Sequence, residues 1–278
     1  MLRAFSVALL FNLLMGISAH AQLVEDYNPP RSNCCWWATA KTLADQMQDW
    51  NQLGRFHQAD EELLKQPSDP RRVVFLGDSI TEGWHLDQSF PGKTYVNRGI
   101  GGQTTPQMLV RMYPDVIDLK PAAVIILAGT NDIAQNTGPE TLTMIEENLM
   151  AITELAQRHG IKVILSAVMP VSDYTLLPPR RAAQGGAPSG PNPQPAGGPP
   201  LHHIQTLQRP PAQILQLDAW MKSYAGGTGA VYADYYSAVV DDKGMFREGY
   251  SDDGLHPNVQ GFALLTPVAE AAIEKALP

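Results

Sequence analysis

RVVFLGDSIT, residues 72–81, decides the fold. From Val73 to Leu76 the run is uninterrupted and apolar, as expected of a strand buried on both faces of a parallel sheet. At Gly77 it turns into Asp78, Ser79 and Thr81, residue types that start helices. AVIIL (123–127) and KVILS (162–166) repeat the apolar block, while AVYADYY (230–236) is more polar and TYVN (94–97) is the weakest of the five. Helical patterns lie between and after them, at 106–119, 139–159, 212–224 and 258–277. The first opens with Thr105 as a candidate N-cap and Pro106 at the first helical position; the second starts at Pro139 and stops at Gly160.

Strand-helix alternation with crossovers of this length predicts an α/β protein. The expected architecture is a three-layer α/β/α sandwich around a five-stranded parallel, flavodoxin-like doubly wound sheet. Functional groups in such sheets gather at the carboxyl ends of the strands.

The chain has 278 residues, 44% of them hydrophobic and 17% charged, which suits one globular domain. A formal net charge of −8 gives no electrostatic footprint for nucleic acid. Two cysteines, the neighbours Cys34 and Cys35, cannot build a disulfide framework, and no third cysteine is present as a partner for either. Glycine and proline number 23 each, an excess for a chain of this length. Much of it sits in 178–200, where 8 Pro and 5 Gly in 23 positions predict a flexible insertion.

Residues 1–21 carry Arg3, an apolar run and Ala19-His20-Ala21, the pattern of a secretory signal peptide cleaved near Ala21-Gln22. The apolar run is too short to span a bilayer, which needs about 20 residues. The expectation is a secreted or periplasmic protein with no stable membrane anchor. An N-terminal arm and helix (22–70, helical at 39–66) then precede the main domain at 71–278.

The candidate chemistry lies where strands end. Ser79 follows strand one, and a seryl oxygen there needs a base and a dipolar site for an oxyanion. A plain helix start would look the same. The α/β-hydrolase elbow G-x-S-x-G fails because Thr81 stands at its second glycine. Gly99-Ile100-Gly101-Gly102 invites a dinucleotide reading, but the third glycine of G-x-G-x-x-G would be Thr104. Asn131, after strand three, can aim its amide at an oxyanion that Gly102 lets the backbone approach, although Asn131 and Asp132 also suit helix capping. Asp253 stands three residues before His256, a spacing that lets the carboxylate hold Nδ1–H and leave Nε2 outward. His202-His203 reads as a chance pair, and no cluster has metal-ligand spacing.

GDSIT (77–81), GIGGQTT (99–105), GTND (129–132) and DGLHP (253–257), in this order, closely resemble the SGNH, or GDSL-type, hydrolases. The resemblance covers about 71–277 and is nearest to the bacterial platelet-activating-factor-acetylhydrolase-like branch. It implies Ser79 as nucleophile, His256 as base and then acid, and Asp253 rather than Asp252 as the residue orienting it. It further implies an oxyanion hole from the Ser79 and Gly102 N–H groups and the Asn131 amide. No cofactor or metal is expected. Thr81 replaces the leucine of the name-giving motif, and Gln103 stands where aspartate is frequent.

The implied reaction is ester hydrolysis through an acyl-enzyme. Short-chain acyl or acetyl esters of carbohydrates or lipids are the expected substrates, small or polymer-linked. A lysophospholipase- or thioesterase-like enzyme, or an acyltransferase using the same triad, is the alternative. Trp84 and Tyr174 are candidates to line the substrate side, with ordinary packing equally open. The 178–200 insertion begins close after Tyr174, which suggests an influence on access.

Overall fold

The apolar blocks become five parallel strands: β1 (Val73–Gly77), β2 (Tyr95–Gly99), β3 (Ala123–Leu127), β4 (Lys162–Ser166) and β5 (Val231–Ala233). They lie in the order β2-β1-β3-β4-β5, every neighbouring pair parallel, which is the flavodoxin-like winding. This computed structural model describes residues 49–67, 69–175 and 204–278. The signal-peptide pattern, Cys34, Cys35, His202, His203 and the 178–200 insertion lie outside the described residues. Asp49–Pro278 forms one unit.

All five residues of β1 and of β3 are buried, which explains why their sequences carry no polar alternation. The helices are α1 (His57–Leu64), α2 (Ser79–Glu82), α3 (Leu86–Ser89), α4 (Thr105–Val110), α5 (Thr130–Ile133), α6 (Leu142–Arg158), α7 (Gln205–Gln208), α8 (Pro211–Thr228), α9 (Tyr235–Val239) and α10 (Val259–Ala276). α6 packs against α4, α8 and β4; α10 packs against β4, β5, α3 and α9. The chain leaves β1 for β2 in one direction and returns to β3 in the other. A crevice therefore opens beyond the ends of β1 and β3.

Several expected boundaries change. Of the helix expected at 39–66, the described part is helical only over α1, with turns ahead of it; Trp50, Leu53 and Leu64 are exposed, so their spacing marks no buried face. The element expected at 106–119 is α4 followed by a one-turn π-helix at Tyr113–Ile117. Its N-cap is Thr104, in a reciprocal capping box with Gln107, rather than Thr105. α6 starts after Thr141, whose hydroxyl accepts the Met144 N–H, and not at Pro139. AVYADYY is strand only to Ala233; the Asp234 carboxylate accepts the Ser237 N–H and starts α9. α8 extends from Pro211 to Thr228, and Asn258 is the cap of α10 rather than its first residue.

Two features fix the strand ends. Arg111 is fully buried, and its guanidinium donates to Gly77 O, Arg98 O, Asp115 Oδ2 (each 2.8 Å) and Gln103 Oε1 (2.6 Å). It thus ties the ends of β1 and β2 to the loop that follows β2. Gly99 lies directly on the backbone of α2, where a Cβ would overlap the Glu82 amide and crowd the Thr81 carbonyl carbon. Gly99→Ala should therefore destabilise the domain by about 1–3 kcal/mol through overpacking. Urea unfolding checks this, and an unchanged midpoint would contradict the close approach.

Candidate active site

Each site residue leaves the end of a strand or lies in the loop before the last helix. β1 ends at Gly77, and the Asp78 carboxylate caps α2 by accepting the Ile80 N–H at 2.9 Å. Ser79 is thereby the first residue of a helix, where backbone N–H groups have no intrahelical partner. After β3, Gly129 takes φ +116° and starts α5, which buries Asn131. The loop 251–257 is held under the segment following β4: Ser172 N donates to Gly254 O at 2.8 Å. Gly254 takes φ +80°, and a Cβ there would overlap the Ser172 carbonyl.

These elements bring Ser79, His256 and Asp253 into one hydrogen-bonded line. Ser79 Oγ lies 2.8 Å from His256 Nε2, and His256 Nδ1 lies 2.6 Å from Asp253 Oδ2. The other Asp253 oxygen accepts the N–H groups of Leu255 (2.9 Å) and His256 (2.8 Å) and the Ser251 hydroxyl (3.2 Å). Asp252 faces elsewhere, accepting from Asn258 Nδ2 at 3.2 Å. Burial works against the Asp253 charge, but the hydrogen bonds from His256 and Leu255 hold its carboxyl well below the usual carboxylate range. The Asp253 hydrogen bond in turn raises the His256 imidazole above its ordinary value.

The opposite wall comes from the loop after β2 and from α5. Gly102 takes φ +78°, and its N–H makes no hydrogen bond among the described residues. A Cβ on the preceding Gly101 would stand 3.7 Å from Ser79 Cβ, so this loop lies beside the serine. Asn131 Nδ2 donates to Gln103 O at 3.1 Å and to Asp78 Oδ2 at 3.3 Å. Burial pushes the Asp78 carboxyl up to about 6. The Ser79 hydroxyl thus has an imidazole beside it, the Gly101 backbone lies near its Cβ, and the Asn131 amide rests on the neighbouring Asp78 carboxylate. Among the described residues, no group of three or more His, Cys, Asp or Glu is placed to hold a metal ion.

Three polar residues join this site without any mark in the sequence. Arg209 is 5% exposed and donates to Thr130 Oγ1 and Asn131 Oδ1. Gln205, one turn earlier, donates to the Asp253 carbonyl at 3.2 Å. Glu82 accepts the Gly101 N–H at 2.8 Å and pairs with Arg55. The turns ahead of α1 then strap the same loop, since Gln103 Nε2 donates to Asn51 O and Gln107 Nε2 to Trp50 O. Each of these contacts spans between 19 and 79 residues of chain, and spacing rules do not reach so far.

The two substrate-side candidates fare differently. Trp84 is 2% exposed, stacks on Phe262 and packs edge-on to Phe75, while its indole N–H donates to Ser89 Oγ. These are packing contacts, the second of the two readings its sequence left open. The Tyr174 hydroxyl donates to Asp241 Oδ2 at 2.7 Å, and that hydrogen bond helps push its pKa up to about 12. Its described hydrogen bond therefore joins it to the 240–246 turn rather than to Ser79 or His256.

The chain is similar in fold and sequence to known proteins. A GDSL-like lipase from Bacteroides thetaiotaomicron VPI-5482 superposes with a TM-score of 0.67 at 32% identity, covering 82% of this chain and all of that one. The Bacillus subtilis (strain 168) lipoprotein YqeF is 36% identical over 118 residues, 36% of this chain and 49% of the lipoprotein. Esterase TesA of Pseudomonas aeruginosa is 29% identical over 126 residues, 40% of this chain and 61% of the esterase. The chain thus spans about half to three-fifths of these two curated relatives. Residues 75–264 match the GDSL-like lipase/acylhydrolase family, and the chain belongs to that family.

Proposed function

We propose that the protein is a secreted or periplasmic serine ester hydrolase in which Ser79, His256 and Asp253 act as a catalytic triad. The observation that carries this reading is the line from Ser79 Oγ through His256 to Asp253 at the ends of the strands. Ser79 Oγ attacks the ester carbonyl carbon as His256 Nε2 takes its proton. The carbonyl oxygen becomes an oxyanion facing the N–H groups of Ser79 and Gly102 and the Asn131 amide. The bond to the alkoxy oxygen then breaks, and His256 returns its proton to the departing alcohol. Water attacks the acyl-enzyme, again losing a proton to His256, and the carboxylic acid leaves as that proton returns to Ser79 Oγ. Asp253, kept ionised by its hydrogen bonds, holds Nδ1–H throughout. The Asn131 bond to Asp78, at 3.3 Å the longer of its two, is the one an oxyanion would replace.

For substrate we infer short acyl or acetyl esters, of carbohydrates or of lipids. Beside Asp78 and Thr130 lies an apolar recess lined by Ile80, Leu127, Val168 and Leu255, with room for about one water molecule. We also place the chain nearest to the platelet-activating-factor-acetylhydrolase-like branch, on the resemblance of the motifs at 77–81, 99–105, 129–132 and 253–257. Export rests on the pattern of residues 1–21; among the described residues, no helix is long and apolar enough to cross a membrane.

Turnover of nitrophenyl esters from C2 to C12 should favour the short end, and Asn131→Ala should lower kcat roughly 10²–10³-fold, as loss of one oxyanion donor does. A preference for C12, or full activity in Asn131→Ala, would contradict the reading. Asp253→Asn removes the partner that raises the His256 pKa, so the imidazole should titrate at lower pH, read by NMR of its ring protons. Activity should fall on the order of 10³–10⁴-fold with it. An unmoved His256 titration would separate Asp253 from the base.

A further inference from the structure

The oxyanion side depends on an amide whose orientation its shape does not decide. An asparagine side chain fits a pocket equally well with oxygen and nitrogen exchanged, so its partners must choose. On one side of Asn131 stand two acceptors, Asp78 Oδ2 and Gln103 O. On the other side stands the guanidinium of Arg209, with Nη2 donating to Asn131 Oδ1 at 3.4 Å and Nε to Thr130 Oγ1 at 3.1 Å. Guanidinium has donors only, so it can face the amide oxygen and never the amide nitrogen.

From these contacts we propose that Arg209 is a positioning residue, fixing the Asn131 amide with Nδ2 toward the reacting carbonyl and offsetting the buried Asp78 charge. The inference rests on the esterase reading above. A carboxylate beside a developing oxyanion would oppose it, and Arg209 is the cation that faces both Asp78 and Asp253. Burying a guanidinium is expensive when an apolar side chain could fill the same space, and burial does pull the Arg209 pKa down. Its remaining contacts brace it in place: Nη1 donates to Gln205 Oε1 at 3.0 Å and to Gln208 Oε1 at 3.4 Å, and its own N–H to Gln205 O at 2.9 Å. Because Gln205 also donates to the Asp253 carbonyl, residues 205–209 join the oxyanion wall to the loop of the acid and base.

The test is a kinetic pH profile of the full protein with a nitrophenyl acetate substrate. The groups facing His256 are Asp253 and Asp78, which raise its pKa, and Arg209, which lowers it. Arg209→Met should therefore move the acidic limb of kcat/KM to higher pH and lower kcat roughly ten- to a hundredfold, less than loss of the donor itself. Arg209→Lys keeps the charge but not the fork, so it should restore the limb while kcat stays low. In an Asn131→Ala background, Arg209→Met should add less than about threefold, because residues acting as a unit are not additive. Wild-type kcat and limb in Arg209→Met, or fully additive losses in the double variant, would overturn the proposal. If Arg209→Met does not fold, Arg209→Lys decides alone: reduced kcat at an unchanged limb supports it, and wild-type kcat overturns it. Ester turnover that survives Ser79→Ala overturns the esterase reading instead, which separates the two failures.

Discussion

A guanidinium with no solvent exposure holds the active edge of this protein together. Arg111 donates to the Gly77 and Arg98 carbonyls, the first in the last residue of β1 and the second in the next-to-last of β2. Both chains turn immediately afterwards into the loops that carry Ser79 and Gly102. The Gly77 carbonyl also accepts the Ile100 N–H at 3.1 Å, so the guanidinium is its second donor and links the two strand ends to each other. Asp115, one turn on, shares the guanidinium, and burial pushes its carboxyl up while it pulls the Arg111 pKa down. Such a pair adds little by itself, but removal of one member would strand the other. What it secures is direction: two backbone turns leave the sheet at fixed places.

From that edge the electrostatics divide two carboxylates by environment. Asp253 is half-exposed and receives hydrogen bonds from the His256 ring and two backbone N–H groups, so it stays ionised. Asp78 is fully buried, and burial raises it to about 6 despite the Ile80 N–H. Environments that push two acids apart assign their roles. Asp253 suits the orientation of an imidazolium, whereas Asp78 suits structure, capping α2 and receiving the Asn131 amide. Gly99 and Gly254 serve the same end by letting backbone approach backbone where a Cβ would not fit.

Strands β1, β3 and β4 were legible because burial on both faces leaves an unbroken Val, Ile and Leu signature. The end of β5 was not, since Tyr235 and Tyr236 look like strand residues until the Asp234 cap redirects them into α9. Leu53 and Leu64 kept a helical period while facing solvent, so period alone overstated the first helix. The geometry places Ser79, Asp253 and His256 together as the motifs implied, because each sits beside a strand end or a helix cap that local sequence can specify. Arg209 and Glu82 escaped because their contacts at the site join segments distant along the chain, and Arg111 because nothing in sequence sets it apart from an ordinary surface charge. For Trp84 the sequence left packing and substrate lining equally open, because proximity to Ser79 says nothing of the face its ring takes.

Covalent capture of the nucleophile is the most direct measurement. Treatment of the folded protein with a fluorophosphonate, followed by mass mapping of the peptides, should place a single adduct on Ser79. The adduct should form far more slowly in His256→Ala and not at all in Ser79→Ala. An adduct on another residue, or labelling that persists in Ser79→Ala, would contradict the account.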